Sequence, residues 1–218
     1  MGTRFTDREE AGQRLAAVLP QFRGRRDTVL LGLACGGVPV AAAAAGALGL
    51  SFAALPVRKL GVPGLEDAAF GALAWSDGRV VRVLNRPLVD RILEVGVRQS
   101  ALDQVEAAGR EELERRAGAF PGSWPDVSGK TVILVDDGLA TGATMRAAVG
   151  AVRDAGAATV VVAVPVGSLA AQTSLAKLVD AVFCLHTPGE FRAVGSYYGN
   201  FRQVRDDDVV RLLASRPA

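Results

Sequence analysis

Five short runs of nearly uninterrupted apolar residues set the strongest limit on how this chain can fold: "TVLLGL" (28–33), "SFAALPV" (51–57), "TVILV" (131–135) and the stretches 159–165 and 180–185. A strand with water on one face alternates apolar and polar residues, whereas a run that is apolar throughout needs cover on both faces. Helical patterns follow three of these runs: "VPVAAAAAGALG" after the first, about 143–155 after the third and about 168–178 after the fourth. Such alternation predicts an α/β fold, a central mainly parallel sheet with helices on both faces. Half of the 218 residues are hydrophobic, enough for one sizeable core in a single domain spanning 1–218.

The segments between the runs are less regular. Thr6 or Asp7 can cap a first helix that carries Ala11, Leu15, Val18 and Leu19 along one face. "RKLGVPGLEDAAFG" after the second run, with its glycines, its proline and two cations, reads as a loop. Residues 72–84 then alternate around Asp77-Gly78, a dipeptide that favours a tight hairpin turn. From Arg86 to about Phe120 the pattern is helical and highly charged. Hairpin and helix together read as an insertion over about 71–125, and the Gly- and aromatic-rich tail as a hood over about 186–218. A short last helix begins near Asp206.

Charge and cysteine content narrow the function class. With 25 basic and 23 acidic residues the net charge is +2, which gives no basic footprint for a nucleic-acid partner. No apolar run approaches the ~20 residues of a membrane span, and "MGTRFTDREE" lacks an apolar leader. Cys35 and Cys184 read as reduced thiols. The expectation is a soluble cytoplasmic protein.

The chemistry concentrates in "TVILVDDGLATGAT" (131–144). Ligands of open α/β sheets sit beyond the carboxyl ends of the strands, and Asp136 and Asp137 lie at such an end. Gly138 and Gly142 allow the chain to turn there, and Thr141 and Thr144 offer hydroxyls beside the next helix N-terminus. Free amides and the helix dipole at that point favour an anion, typically a phosphate. Two acids facing the same phosphate would repel it. They suit hydroxyls, or a hydrated metal, on another part of one ligand, and a phosphorylated sugar with a vicinal diol meets both demands.

Two other readings of this stretch compete. In a P-loop ATPase the acids would be partnered by G-x-x-x-x-G-K-[ST], but "SGKT" (128–131) has Trp124 five positions before Gly129 and enters a strand instead of a helix. A plain strand–loop–helix joint with a solvated acid pair leaves the Gly and Thr spacing behind the acids without a purpose.

"VILVDDGLATGAT" closely resembles the signature with which type I phosphoribosyltransferases bind phosphoribosyl pyrophosphate (PRPP). "GLACGGVPVA", "PVRKLGVPG" and "FRAVGSYYGNF" resemble, in the same order, one bacterial subgroup of that family. The resemblance spans nearly the whole chain, and it is specific for PRPP and only weakly so for the acceptor. It implies transfer of the 5-phosphoribosyl group from PRPP to a nitrogen acceptor, release of pyrophosphate, Mg2+ as cofactor and a homodimer.

Carried over residue by residue, Asp136 and Asp137 would hold the ribose hydroxyls and lie close to the magnesium shell through water. Ala140, Thr141, Gly142, Ala143 and Thr144 would cup the 5′-phosphate. Ala34, Cys35, Gly36 and Gly37 would bind pyrophosphate through the main chain, with a cis peptide between Ala34 and Cys35. Successive glycines suit that role independently, since they let backbone approach an anion closely. Arg58 and Lys59 would stabilise the leaving pyrophosphate, from a segment that closes over the site. The subgroup usually carries Arg where Cys35 stands, and purine-salvage members carry Asp where Ala140 stands, which argues against hypoxanthine or guanine as acceptor. Phe191, Tyr197 and Tyr198 are candidates for stacking on a planar acceptor. His186, alone just past a strand, reads as structural.

Two other functions remain open at this point. A PRPP-binding regulator would keep the site without turnover, and the uncharged Cys35 suits it. A Cys-His-Asp hydrolase could use Cys35, Asp137 and His186, although its nucleophile elbow needs Gly where Leu33 stands.

Overall fold

The structure, a computed structural model, describes residues 5–76, 78–120 and 124–215. The apolar runs form β1 (Thr28–Leu33), β2 (Ser51–Leu55), β6 (Thr131–Val135), β7 (Thr159–Val166) and β8 (Ala181–His186). They make one parallel sheet in the order β2-β1-β6-β7-β8. Helices α1 (Arg8–Ala17), α2 (Gly37–Leu48), α5 (Ala143–Asp154), α6 (Leu169–Leu175) and α7 (Asp206–Ala214) accompany it. Asp7 caps α1 as expected, accepting from the Glu10 amide at 3.0 Å.

Strand alternation explains the two cores. Leu30, Ile133 and Val161 point to one face and pack with Val40, Ala44 and Leu48 of α2 and Leu213 of α7. Their neighbours Leu31, Leu134 and Val162 point to the other, where Met145, Ala148 and Val152 of α5 cover them. Both faces of the central strands are covered, which is why these strands are apolar apart from their end residues.

The stretch 58–71 is not the loop expected from its glycines and proline. It forms β3 (Val57–Val62) and the first half of β4 (Leu65–Ser76), which with β5 (Arg79–Leu84) make an antiparallel sheet in the order β3-β4-β5. The breakers are absorbed locally. Gly64 takes φ +80° at the β3–β4 turn, and the pairing register shifts on both sides of Gly61. Burial then decides the outcome, because Leu60, Val62, Phe70 and Leu73 pack with Ile92, Leu102 and Leu113 in a third core. The β4–β5 turn is a hairpin as expected, pairing Ser76 with Arg79; Gly78 has φ +79°, and Asp77 lies outside the described residues.

The expected long helix is two, α3 (Arg86–Glu94) and α4 (Gln99–Ala119), separated at Gly96, whose φ is +95°. Helix α4 ties the two sheets together. Leu102 and Leu113 belong to the core under the antiparallel sheet, and Phe120, just past its end, belongs to the α2 side of the parallel sheet. None of the helices among the described residues is long and apolar enough to cross a membrane.

Candidate active site

Strands β1 and β6 are neighbours at the centre of the sheet, with Gly32 opposite Val135. The chain leaves β1 towards β2 on one side, while β6 and β7 lie on the other, so this is where the strand order reverses and a crevice opens. Loops 34–37 and 136–142 emerge there side by side. The Ala34–Cys35 peptide is cis, as the resemblance implied.

The loops touch closely at two successive glycines. A Cβ on Gly36 would stand 2.8 Å from Asp137 Cγ and closer still to its Oδ2. One on Gly37 would stand 2.9 Å from Asp136 Cα and overlap the Val135 carbonyl oxygen. The acid pair is thereby held directly against the main chain of the β1 loop.

Asp136 and Asp137 are both half-buried. Asp136 Oδ1 accepts from the Asp137 amide at 2.9 Å. Burial, and then the charge of Asp137, raises the Asp136 carboxyl well above the ordinary range. Burial also raises Asp137, opposed by Arg8. Arg8 Nε donates to Asp137 Oδ2 at 2.8 Å, and Nη2 lies 2.7 Å from the same oxygen. Its Nη1 donates to the Arg202 carbonyl at 2.9 Å, and its guanidinium carbon sits 3.9 Å from the Phe201 ring centre. Sequence reasoning missed Arg8. One signal was available, since a cation in the first turn of a helix runs against the dipole and suggests a partner elsewhere.

The rest of the 136–144 loop is tied to the turn after β7. The Leu139 amide donates to Val166 O at 2.9 Å, the Ser168 amide to Leu139 O at 2.9 Å, and Ser168 Oγ to Ala140 O at 2.7 Å. Gly142, at φ +75°, precedes α5, a conformation that a side chain would oppose. The first amide of α5, on Ala143, donates to Thr141 Oγ1 at 3.4 Å, and the next amides of the first turn have no intrahelical acceptors. Arg146 Nη1 donates to Thr141 O at 3.1 Å.

A cavity of about 470 Å³ opens over this junction, lined by Arg8, Cys35, Gly36, Arg116, Asp136 and Asp137 together with Phe201, Gln203 and Val204 of the tail. Arg58 and Lys59 are not in its wall. Both are exposed on β3. The Arg58 stem passes near Gly109 of α4, and Lys59 pairs with Ala72 on the opposite face.

The C-terminal aromatics divide. Tyr198 is 2% exposed, packs with Phe5 and Val166, and donates its hydroxyl to the Asp137 carbonyl at 2.6 Å. It braces the acid pair and offers no ring face to an acceptor. Tyr198→Phe leaves that half-buried carbonyl without its donor, an expected cost of about 1–3 kcal/mol in chemical denaturation; unchanged stability would remove the bracing role. Phe191 and Tyr197 stack on each other at 5.9 Å, and the His186 ring lies 5.5 Å from Tyr197. Val194 from the same tail lies over Gly138, where a Cβ would stand 3.1 Å from its own Cβ.

The hydrolase arrangement is not assembled. Cys35 follows β1 and His186 ends β8, with β6 and β7 between, three strand spacings or roughly 14 Å. Burial, with Asp206 and Glu112 adding to it against Arg116, also pushes the Cys35 thiol up to about 11, so no thiolate is available near neutral pH.

Residues 6–198 match the phosphoribosyl transferase domain family. The chain belongs to the phosphoribosyl transferase family. Two Mycobacterium tuberculosis proteins, from strains H37Rv and CDC 1551, each named "Putative phosphoribosyl transferase", are 44% identical over 211 residues. Those residues cover 96% of this chain and 46% of each relative, so the chain spans about half the length of these curated relatives. The crystal structure of TT1426 from Thermus thermophilus is 39% identical, covers 97% of this chain and 98% of its own, and superposes with a TM-score of 0.75. AQ2163 from Aquifex aeolicus, 12% identical over 82% of this chain and 73% of its own, shares the fold with a TM-score of 0.51. The matched residues include both loop 34–37 and loop 136–142.

Proposed function

We propose that the protein transfers the 5-phosphoribosyl group from PRPP to a nitrogen acceptor and releases pyrophosphate. The observation that carries this reading is the contact between the Asp136–Asp137 pair and the glycine main chain of loop 34–37, on the loop that leads into the α5 N-terminus. In it the acids accept from the ribose diol, loop 34–37 holds the diphosphate by its amides, and Ala140 to Thr144 hold the 5′-phosphate.

The bond from ribose C1 to the pyrophosphate oxygen breaks with its electron pair leaving on pyrophosphate. The acceptor nitrogen lone pair closes the new C1–N bond, and the proton carried by that nitrogen passes to solvent or buffer. Positive charge grows on the sugar beside Asp136 and Asp137, which favour it electrostatically.

Among the described residues no group of three or more acidic, His or Cys side chains could hold a metal by itself. Two adjacent carboxylates do fit magnesium, which keeps several waters and completes its shell with substrate phosphates. Asp136 and Asp137 would hold it, through water, and it would neutralise charge on the leaving group. Arg58 and Lys59 retain their proposed role at pyrophosphate only if the antiparallel sheet moves towards the crevice. Phe191 and Tyr197, partly buried beyond β8, are the proposed acceptor wall.

The test is pyrophosphate release from PRPP and magnesium, screened over purines, pyrimidines and other small nitrogen nucleophiles. Release that depends on one acceptor is the expected result. Tight PRPP binding with no release for any acceptor would establish the regulator reading instead.

A further inference from the structure

We propose that Arg116 is the cation that receives the diphosphate of PRPP at loop 34–37, an assignment that rests on the PRPP reading above. Main-chain amides alone face a diphosphate poorly when two carboxylates stand beside them, so the crevice needs a positive charge near Cys35. Among the described residues two cations line the cavity, Arg8 and Arg116. Arg8 is spent, with all three guanidinium nitrogens engaged by Asp137 and the Arg202 carbonyl.

Arg116 is placed differently. Its side chain is 17% exposed, and its Nε lies 3.0 Å from Glu112 Oε1 and 3.2 Å from Asp206 Oδ1. That nitrogen is buried without a well-aligned hydrogen bond, and neither Nη group donates a hydrogen bond among the described residues. The two carboxylates approach the guanidinium most closely at Nε, and the Nη groups, without hydrogen bonds of their own, form the fork that grips phosphate oxygens best. Asp206 also pairs with Arg115. Helix α4 makes the placement rigid, since it is anchored in both cores.

The same geometry explains the thiol at position 35. Cys35 Sγ lies 3.3 Å from Asp206 Oδ1, the oxygen that Arg116 Nε also approaches. A long cation at position 35 would enter the space that the Arg116 guanidinium fills, so one position or the other can carry the charge.

The experiment compares the calorimetric affinities of PRPP, magnesium pyrophosphate and ribose 5-phosphate for wild type, Arg116→Ala and the double variant Arg116→Ala with Cys35→Arg. Arg116→Ala is expected to weaken pyrophosphate and PRPP about ten- to a hundredfold, the range for hydrogen bonds to a charged group. Ribose 5-phosphate should change by less than about threefold, and the double variant should regain most of the lost pyrophosphate affinity. If Arg116→Ala does not stay folded at the assay temperature, Arg116→Gln reads the same split. Unchanged pyrophosphate affinity, or equal losses for pyrophosphate and ribose 5-phosphate, overturns the assignment while leaving the PRPP reading intact. A wild type that binds no PRPP overturns both.

Discussion

Asp136→Asn combined with Asp137→Asn is expected to abolish most of the thermal shift that PRPP and magnesium give the wild type. A ligand that binds only the native state stabilises it by about 2.7 kcal/mol at a hundredfold excess over Kd. For a chain of this size that is a rise of roughly 5–10 °C. In the double variant the amides cannot accept as two anions do, and the loss should be nearly complete. The ligand-free comparison carries its own signature. The Asp136 carboxyl is raised by burial and by Asp137, so the folded protein holds that proton more tightly than the unfolded chain. Stability is therefore lost as pH climbs from the unfolded carboxyl value towards the raised folded one. Asp136→Asn, neutral at every pH, should melt above wild type at neutral pH, with the gain shrinking on acidification. A folded double variant that keeps the full PRPP shift would sink the ribose assignment.

Two adjacent glycines should behave differently from each other. At Gly36 the added methyl meets the Asp137 carboxylate, a side chain that can swing aside, so Gly36→Ala should weaken PRPP strongly with a small change in stability. At Gly37 it meets the Val135 carbonyl and the Asp136 backbone inside the sheet junction. Neither can move without disturbing β6, and Gly37→Ala should cost about 1–3 kcal/mol of stability, as overpacking does. Denaturant melts and PRPP titrations on both variants separate the effects. Equal stability losses would mean that the Asp137 carboxylate is as immobile as the backbone.

The parallel sheet was legible because its signal is local. Continuous apolar runs bounded by helical periods need only neighbouring residues to be read, and each run matches one strand to within a residue, apart from "SFAALPV", which Pro56 divides. The paired acids and the glycine-rich turn behind them were legible for the same reason. The antiparallel unit was not. Gly61, Pro63 and Gly64 argue for a loop at 58–71, and that expectation fails only once Leu60 and Val62 are buried against α3 and α4, whose contribution no window around 60 contains. Tyr198 reads as a stacking platform until burial turns it into a brace under Asp137.

What the amino-acid sequence by itself determined is the α/β architecture, the position of the acid pair at a strand end and the phosphate-favouring loop after it. Each follows from spacing along fourteen or fewer residues and from the directions that strands and helix ends impose. Only the tertiary structure decided which cations stand at the crevice. Arg8 reaches Asp137 across 129 positions, and Arg116 meets Asp206 from inside a charged helix whose own spacing, Glu112 to Arg116, reads in the sequence as an ordinary i,i+4 pair. A guanidinium on a long flexible stem takes its place from whatever carboxylates the fold brings near it. Those neighbours are set by how α1, α4 and α7 pack around the end of β1, a geometry that exists only in the assembled domain.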